Sequence, residues 1–390
     1  SVLSHFTLKA SYSLTADRGP ADVTNSQAII TSYSPYRPFT SIQESGLYIK
    51  ELENSELTYE KKHELNIGAD MGFLNNRINL AVDWYKRNNY DLIGIVNTQG
   101  AGGQILKYAN IASMKSHGIE FTLSTKNIKT KDFNWNTDFI FSNAKNEVTD
   151  LKQNANVMEL ISGNGFAKQG YPVRGLFSVG LDKDGIPVII NEKGEATSTD
   201  INFQERQNTG FLKYEGPTDP TITGSLGNMF SYKGFRLNLF ITYSFGNVIR
   251  LNPVFKAYYS DLTAMTREFK NRWTLPGDEA KTNVPAILSK RMYDSNEDLK
   301  YAYNAYNYST ERIAKGDFIR LKEISLAYDF PKAWINPLKL TDLSLKVQAT
   351  NLFLIYADDK LNGQDPEFFN AGGVASPVPR QFTITLRLGL

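Results

Sequence analysis

The stretch that most constrains this chain is RQFTITLRLGL, residues 380–390. Phe382, Ile384, Leu386, Leu388 and Leu390 fall on one side of an extended chain, and Gln381, Thr383, Thr385 and Arg387 fall on the other. A repeat of two is the period of a strand. The run also matches the about 9–11 residues that a tilted strand needs to cross a bilayer. A strand with one wholly apolar face must lay that face on a core or in lipid.

The same alternation recurs along the chain. Phe6, Leu8, Ala10, Tyr12 and Leu14 alternate with polar residues, as do Leu65, Ile67, Ala69 and Met71 before the turn GFLNN at 72–76. Ile78, Leu80, Val82 and Trp84 follow, then Ile119, Phe121 and Leu123, then Phe133, Trp135, Phe139 and Phe141. A weaker run covers 221–232, and Phe235 to Phe245 is the clearest alternation of all. Within 317–330 the apolar parity switches between Leu321 and Ile324. A β-bulge near Lys322 and Glu323 would keep both sets on one face. Leu343 to Ala349 and the closing run complete ten main strands.

Their connections alternate in length. Short turns fall near 72–76, 127–132, 233–234 and 331–341, and long ones at 17–56, 91–114, 148–220, 247–317 and 354–379. Tight turns at one end and all elaboration at the other is the asymmetry of an outer-membrane barrel. The fold class read from this pattern is all-β: an antiparallel transmembrane β-barrel with long extracellular loops. A soluble sheet with one wet face shows the same alternation, so loop parity and aromatic load carry the choice. Trp84, Trp135, Tyr243 and Tyr328 are placed to form interfacial girdles. Inside the insertions, 172–181 and 186–190 predict a hairpin about Asp182 to Gly185. Phe255, Tyr258, Tyr259, Leu262, Met265, Phe269 and Trp273 recur at helical spacing, which predicts an amphipathic helix.

Composition excludes other classes. The 390 residues carry a net charge of +2, which gives no polyelectrolyte signal for nucleic acid. Cysteine is absent, so no disulfide framework, thiol nucleophile or Cys-based metal site is available. His5, His63 and His117 are isolated and lack metal-ligand spacing. Asp182-Lys183-Asp184-Gly185 resembles the start of a calcium loop without its full spacing and reads as a turn. Asp358, Asp359, Asp365 and Glu367 are the one set of carboxylates that could supply a glycosidase pair. No phosphate loop, dinucleotide fingerprint or nucleophile elbow is present. The reading is therefore not an enzyme, with no cofactor and no metal.

Several segments resemble the C-terminal part of the SusC/RagA family of TonB-dependent outer-membrane transporters. They are LTYEKKHELNIGADMGFLNNRINLAVDWYKR (57–87), SHGIEF (116–121), YKGFRLNLFITYSFGN (232–247), NRWTLPGDE (271–279), KGDFIRLKEISLAYDFP (315–331), ATNLFLIYADDKLNGQDPE (349–367) and PRQFTITLRLGL (379–390). The resemblance implies that residues 1–390 are the C-terminal part of a plugged barrel of ~22 strands. On that reading the plug domain, TonB box and N-terminal barrel strands lie outside this sequence and pair with it, since exposed strand edges in lipid are not viable. It also implies an outer-membrane location in a Gram-negative, Bacteroidetes-like bacterium, and import of an oligosaccharide or oligopeptide. The implied partners are the bilayer, TonB and a SusD-like surface lipoprotein acting as a lid. The alternative is a surface β-protein that binds or degrades polysaccharide without transporting it.

Candidate ligand contacts are Tyr301, Tyr303, Tyr306 and Tyr308 in YAYNAYNYS, whose rings offer stacking faces for sugars or peptides. Arg272 and Trp273 are placed to meet an anionic or planar group. The resemblance makes the loops at 17–56 and 91–114 candidates for lid contact, with Gly100, Gly102 and Gly103 supplying permissive backbone.

Overall fold

A computed structural model describes residues 2–19, 27–34, 45–98, 100, 105–152, 155–163, 172–254, 266–369 and 379–389. Ten strands form one antiparallel sheet. They are β1 (Leu3–Asp17), β2 (Glu60–Phe73), β3 (Ile78–Asn97), β4 (Leu106–Lys129), β5 (Phe133–Leu151), β6 (Ile222–Tyr232), β7 (Phe235–Phe245), β8 (Phe318–Asp329), β9 (Asp342–Ala357) and β10 (Gln381–Gly389). Each pairs with its neighbour in chain order, so the sheet is an up-and-down meander from β1 to β10. The ten alternating runs in the sequence are these ten strands.

Register keeps the apolar parity on one face. Ala69, Val82, Phe121 and Phe141 stand in one row across β2 to β5. Leu237, Leu326, Val347 and Ile384 do the same across β7 to β10. A one-residue slip would turn every side chain of a strand over. The bulge expected in β8 is present: Phe240 opposes Glu323 and Ile241 opposes Leu321, so Lys322 is the extra residue. It returns Leu321 and Ile324 to the same face.

The two faces are buried in the reverse of the usual sense. On the polar face Tyr85, Ser116, Ser244, Arg320 and Ser325 are 5–7% exposed. On the apolar face Ile67, Trp84, Ile119, Leu326 and Val347 keep 38–47% of their surface. Ion pairs and hydrogen bonds cross the polar face, among them Lys9 with Asp70, Arg87 with Glu64 at 3.1 Å, and Ser124 with Asp138 at 2.6 Å. Among the described residues no helix is long and apolar enough to cross a membrane.

Aromatic bands border the apolar face. At the short-turn end Trp135 stacks on Phe230 at 5.6 Å, and Phe235, Tyr328, Phe330 and Trp334 form a chain of ring contacts. The Trp135 indole N–H donates to Asn228 Oδ1 at 3.0 Å, so its polar edge has a partner. Toward the long-loop end lie Tyr243, near Phe139 and Phe245, and the group Tyr12, His63 and Tyr90. The short turns are built from residues that accept left-handed backbone. Leu74, Asn75 and Asn76 have φ of 52°, 56° and 58°, and Lys233 and Gly234 have 45° and 90°. Two successive positive φ values match the twist of a two-residue hairpin.

One expectation needs correction. Residues 91–114 are not an open loop: β3 continues to Asn97 and β4 begins at Leu106, so most of the segment is a projecting hairpin. Of the helix expected over 255–273, the described residues include a 3₁₀ turn, Arg267–Asn271, while Phe255, Tyr258, Tyr259, Leu262 and Met265 lie outside the described residues.

The two longest insertions fold against each other. A hairpin of Ser178–Leu181 and Pro187–Ile190 forms as expected, with Asp182 Oδ1 accepting the N–H groups of Asp184 and Ile186 at 2.9 Å. Strand Pro172–Gly175 instead pairs with Lys213–Pro217. A short helix, Val157–Ser162, starts at a reciprocal capping box of Asn156 and Glu159. Its Val157 and Ile161 pack with Leu176, Ile189, Leu212 and Ala305, the last from helix Leu299–Asn307 in the other insertion. Backbone bonds seal the contact: Leu176 N–H donates to Tyr308 O at 3.1 Å and Leu176 O accepts from Thr310 at 3.0 Å. The result is one packed cap over the long-loop end of β5 to β8.

Candidate functional site

Three buried or half-buried arginines organise the region where the cap meets the wall. Arg320 stands on the polar face of β8 and donates to Asp365 at 2.5 Å, with Glu367 at 3.3 Å. Asp358 accepts the Lys315 N–H at 2.7 Å and the Lys360 N–H at 2.9 Å. These carboxylates therefore tie the segment after β9 to the wall, and the glycosidase arrangement has no support from their geometry. Arg312, 1% exposed, pairs with Glu268 at 2.7 Å, donates to Asn252 O at 2.5 Å, and lies over the Tyr306 ring at 5.8 Å. Arg250 lies over Tyr308 at 5.4 Å and donates to Arg174 O at 2.5 Å.

Burial controls the protonation of this region. Loss of hydration pulls the Arg250 guanidinium down to about 10, and pushes the Tyr306 phenol up to about 12. The same effect raises the Glu215 carboxyl above its ordinary range.

Two cavities of about 600 Å³ open in this region, one lined in part by Glu367, the partner of Arg320, and the other by Arg174, whose carbonyl accepts from Arg250. One is lined by Thr223, Thr242, Ser244, Asn247, Lys322 and Glu367, with Ile249 and Phe318 as apolar surface. The other lies between the end of β5 and residues Pro172, Arg174, Tyr214 and Pro217. Hydroxyl, amide and paired charged groups around apolar patches suit hydrogen bonding to a polar ligand. Among the described residues no group of His, Asp and Glu is arranged to hold a metal ion.

No protein-family model matches the chain. TonB-dependent receptor P3 of Formosa agariphila is 26% identical over 365 residues, a match covering 87% of this chain and 34% of that protein. TonB-dependent receptor SusC of Bacteroides thetaiotaomicron is 26% identical over 354 residues, covering 86% of this chain and 32% of its own length. The structure of the RagAB peptide transporter superposes with a TM-score of 0.74 at 24% identity over 99% of this chain and 41% of that one. The chain is similar in sequence to TonB-dependent receptors that include SusC, and it shares the fold of part of the RagAB transporter. It spans about a third of the length of the curated relatives it matches. Its ten-stranded antiparallel sheet matches a portion of that fold.

The four tyrosines of 301–308 separate in the structure. Tyr303 and Tyr306 are 1% and 2% exposed, and the Tyr303 hydroxyl donates to Ala286 O at 2.9 Å. Both pack the cap and present no free ring face, which corrects their reading as ligand contacts. Tyr301 keeps 39% of its surface, and Tyr308 is partly buried beneath Arg250. The Trp273 indole N–H donates to Glu279 at 3.0 Å, and its ring lies against Gly185, so it joins the two insertions. Arg272 lies over Phe269 at 5.3 Å. Gly100 adopts φ 75°, while Gly102 and Gly103 lie outside the described residues.

Residues missed from sequence are Arg320, Arg312 and Arg250. Arg320 occupies a polar position of an alternating strand like any solvent-facing arginine, and nothing local marks its burial. The pairing of 315–331 with 349–367 among the resembling segments was the available signal.

Proposed function

We propose that this chain forms part of the lumen wall and mouth of an outer-membrane importer for an oligosaccharide or oligopeptide. The observation that carries it is the inverted sheet: lipid-compatible side chains are exposed on one face, and charged and hydroxyl groups are enclosed on the other. A wall of this kind passes or binds polar cargo, and the packed cap at the long-loop end supplies the mouth.

The remaining barrel strands and the plug complete the lumen, and TonB supplies the pulling force through the plug. A SusD-like lipoprotein closes over the long-loop end, where the projecting β3–β4 hairpin with Gly100, Gly102 and Gly103 is its contact. Tyr301, Tyr308 and Arg272 are the ligand contacts that remain accessible at the cap. The test is uptake of labelled oligosaccharides and oligopeptides by cells carrying the full-length receptor, with and without the adjacent lipoprotein. Uptake that requires both the receptor and an energised TonB supports the reading. Equal uptake without the receptor, or a receptor that only binds cargo at the surface, overturns it.

A further inference from the structure

The short-turn end carries a strong charge asymmetry. Within residues 74–77, 126–133, 232–236, 329–342 and 387, Lys and Arg outnumber Asp nine to three, and Glu is absent. The whole chain has a net charge of only +2, so the rest of it is net negative. All nine basic side chains on this rim are exposed. Two of the three Asp residues are engaged locally, Asp329 by Arg236 at 2.8 Å and Asp342 by Arg387 at 3.8 Å. Lys126, Lys129, Lys131 and Lys339 lie on turns or strand ends where the described residues supply no carboxylate partner.

The depth of this rim is marked independently. At the rim and immediately inside it lies the aromatic band of Trp135, Phe230, Phe235, Tyr328 and Trp334, and Trp334 keeps 63% of its surface. Amphipathic rings settle at headgroup level, which sets the lysines at the level of lipid phosphates. Lys233 and Lys339, held at φ 45° and 57°, project from the tips of two of these turns.

We propose that the short-turn rim is a binding surface for anionic phospholipid headgroups in the leaflet it faces. The inference rests on the reading of the sheet as a membrane-spanning wall. Clustered basic residues beside a membrane-embedded element are drawn to anionic lipid over distances of about a Debye length. An aromatic band next to them fixes that attraction at one depth. The rim thereby gives the wall an electrostatic orientation, since the long-loop end carries the opposite net charge.

The test uses the full-length receptor in phosphatidylcholine liposomes containing trace spin-labelled phosphatidylglycerol or spin-labelled phosphatidylcholine. The fraction of each label that is motionally restricted gives its relative association. The wild type is expected to prefer phosphatidylglycerol by about fivefold, the scale of one lysine–headgroup contact. The preference is expected to collapse at high salt and in the variant Lys129→Gln/Lys131→Gln/Lys233→Gln/Lys339→Gln. It is expected to persist in Lys281→Gln/Lys290→Gln, which removes cations from the long-loop end. Soluble glycerol phosphate is expected to leave the association unchanged, and displacement by it would assign the rim to free phosphate instead. Equal restriction of the two lipids by the wild type would overturn the proposal while leaving the barrel intact. Failure to insert into neutral bilayers would overturn the barrel reading and this inference together.

Discussion

Arg320 and Asp365 form an ion pair of 2.5 Å in which both side chains are almost wholly enclosed, at 6% and 10% exposure. The pair joins the polar face of β8 to the segment that follows β9, and Glu367 adds a second contact at 3.3 Å. Removing one partner of an enclosed pair strands a charge, at a cost of about 3–5 kcal/mol.

Asp365→Ala is therefore expected to release residues 358–369 while the strands stay paired. Limited proteolysis and amide exchange of that segment check it. Protection equal to the wild type would mean that Arg320 finds another partner and that the pair is not the anchor. Replacing both, as Arg320→Met with Asp365→Leu, is expected to restore much of the protection, because no charge is then left unpaired.

The cap should melt apart from the barrel. Ile189 is fully buried against Val157, Leu176 and Ala305, so Ile189→Ala removes core contacts worth about 2–5 kcal/mol. The expected result in a calorimetric scan is an earlier first transition with the barrel transition unmoved. A single transition that shifts as a whole would show that cap and wall unfold together.

Alkaline pH should weaken the cap through Tyr306. Burial pushes its folded phenol up to about 12, above the ordinary phenol value of about 10. Between these values the unfolded ring has lost its proton and the folded ring has kept it, so stability falls as pH rises through that window. Tyr306→Phe is expected to flatten this part of the pH profile of cap melting. Arg250, lowered to about 10, acts in the opposite sense, favouring the folded state as pH rises from about 10. A steeper alkaline loss in Tyr306→Phe than in the wild type would contradict the assignment.

Trp135 and Trp334 should report shallow positions. In variants that retain a single tryptophan, lipids brominated near the headgroup are expected to quench Trp135 and Trp334 more than lipids brominated near the acyl terminus. Trp84, six residues along its strand from Ile78 and so deeper than the girdle position expected of it from the sequence, is expected to respond to the deeper bromines. The reverse order for Trp135 would remove the short-turn girdle from the interface.

The sequence made the wall legible because its information is local and periodic. Each strand declares its two faces within about ten residues, and the parity change at Leu321 to Ile324 was enough to locate the bulge at Lys322. The cap was not legible in the same way. Leu176 meets Tyr308 and Thr310 across about a third of the chain, through irregular segments that carry no period. Tyr303 and Tyr306, three residues apart on helix Leu299–Asn307, share its buried side, whereas Tyr301 lies on the exposed one. Read as an aromatic loop, YAYNAYNYS gives four equivalent rings; read as a helix, it divides them. Arg320 stayed hidden because burial on the lumen side depends on a segment some forty residues further along.

The inverted wall is the claim on which the rest depends, and these 390 residues contain no cysteine of their own to compete with ones introduced into them. Single cysteines would be placed at Ile67, Ile119, Leu326 and Val347 on one face and at Asp83, Glu120 and Ser325 on the other, in the full-length receptor in liposomes. The account predicts that a membrane-impermeant, charged maleimide labels only the second set, and that a lipid-soluble maleimide labels the first. Equal labelling of both sets by the charged reagent would contradict a lipid-facing surface and with it the transporter reading.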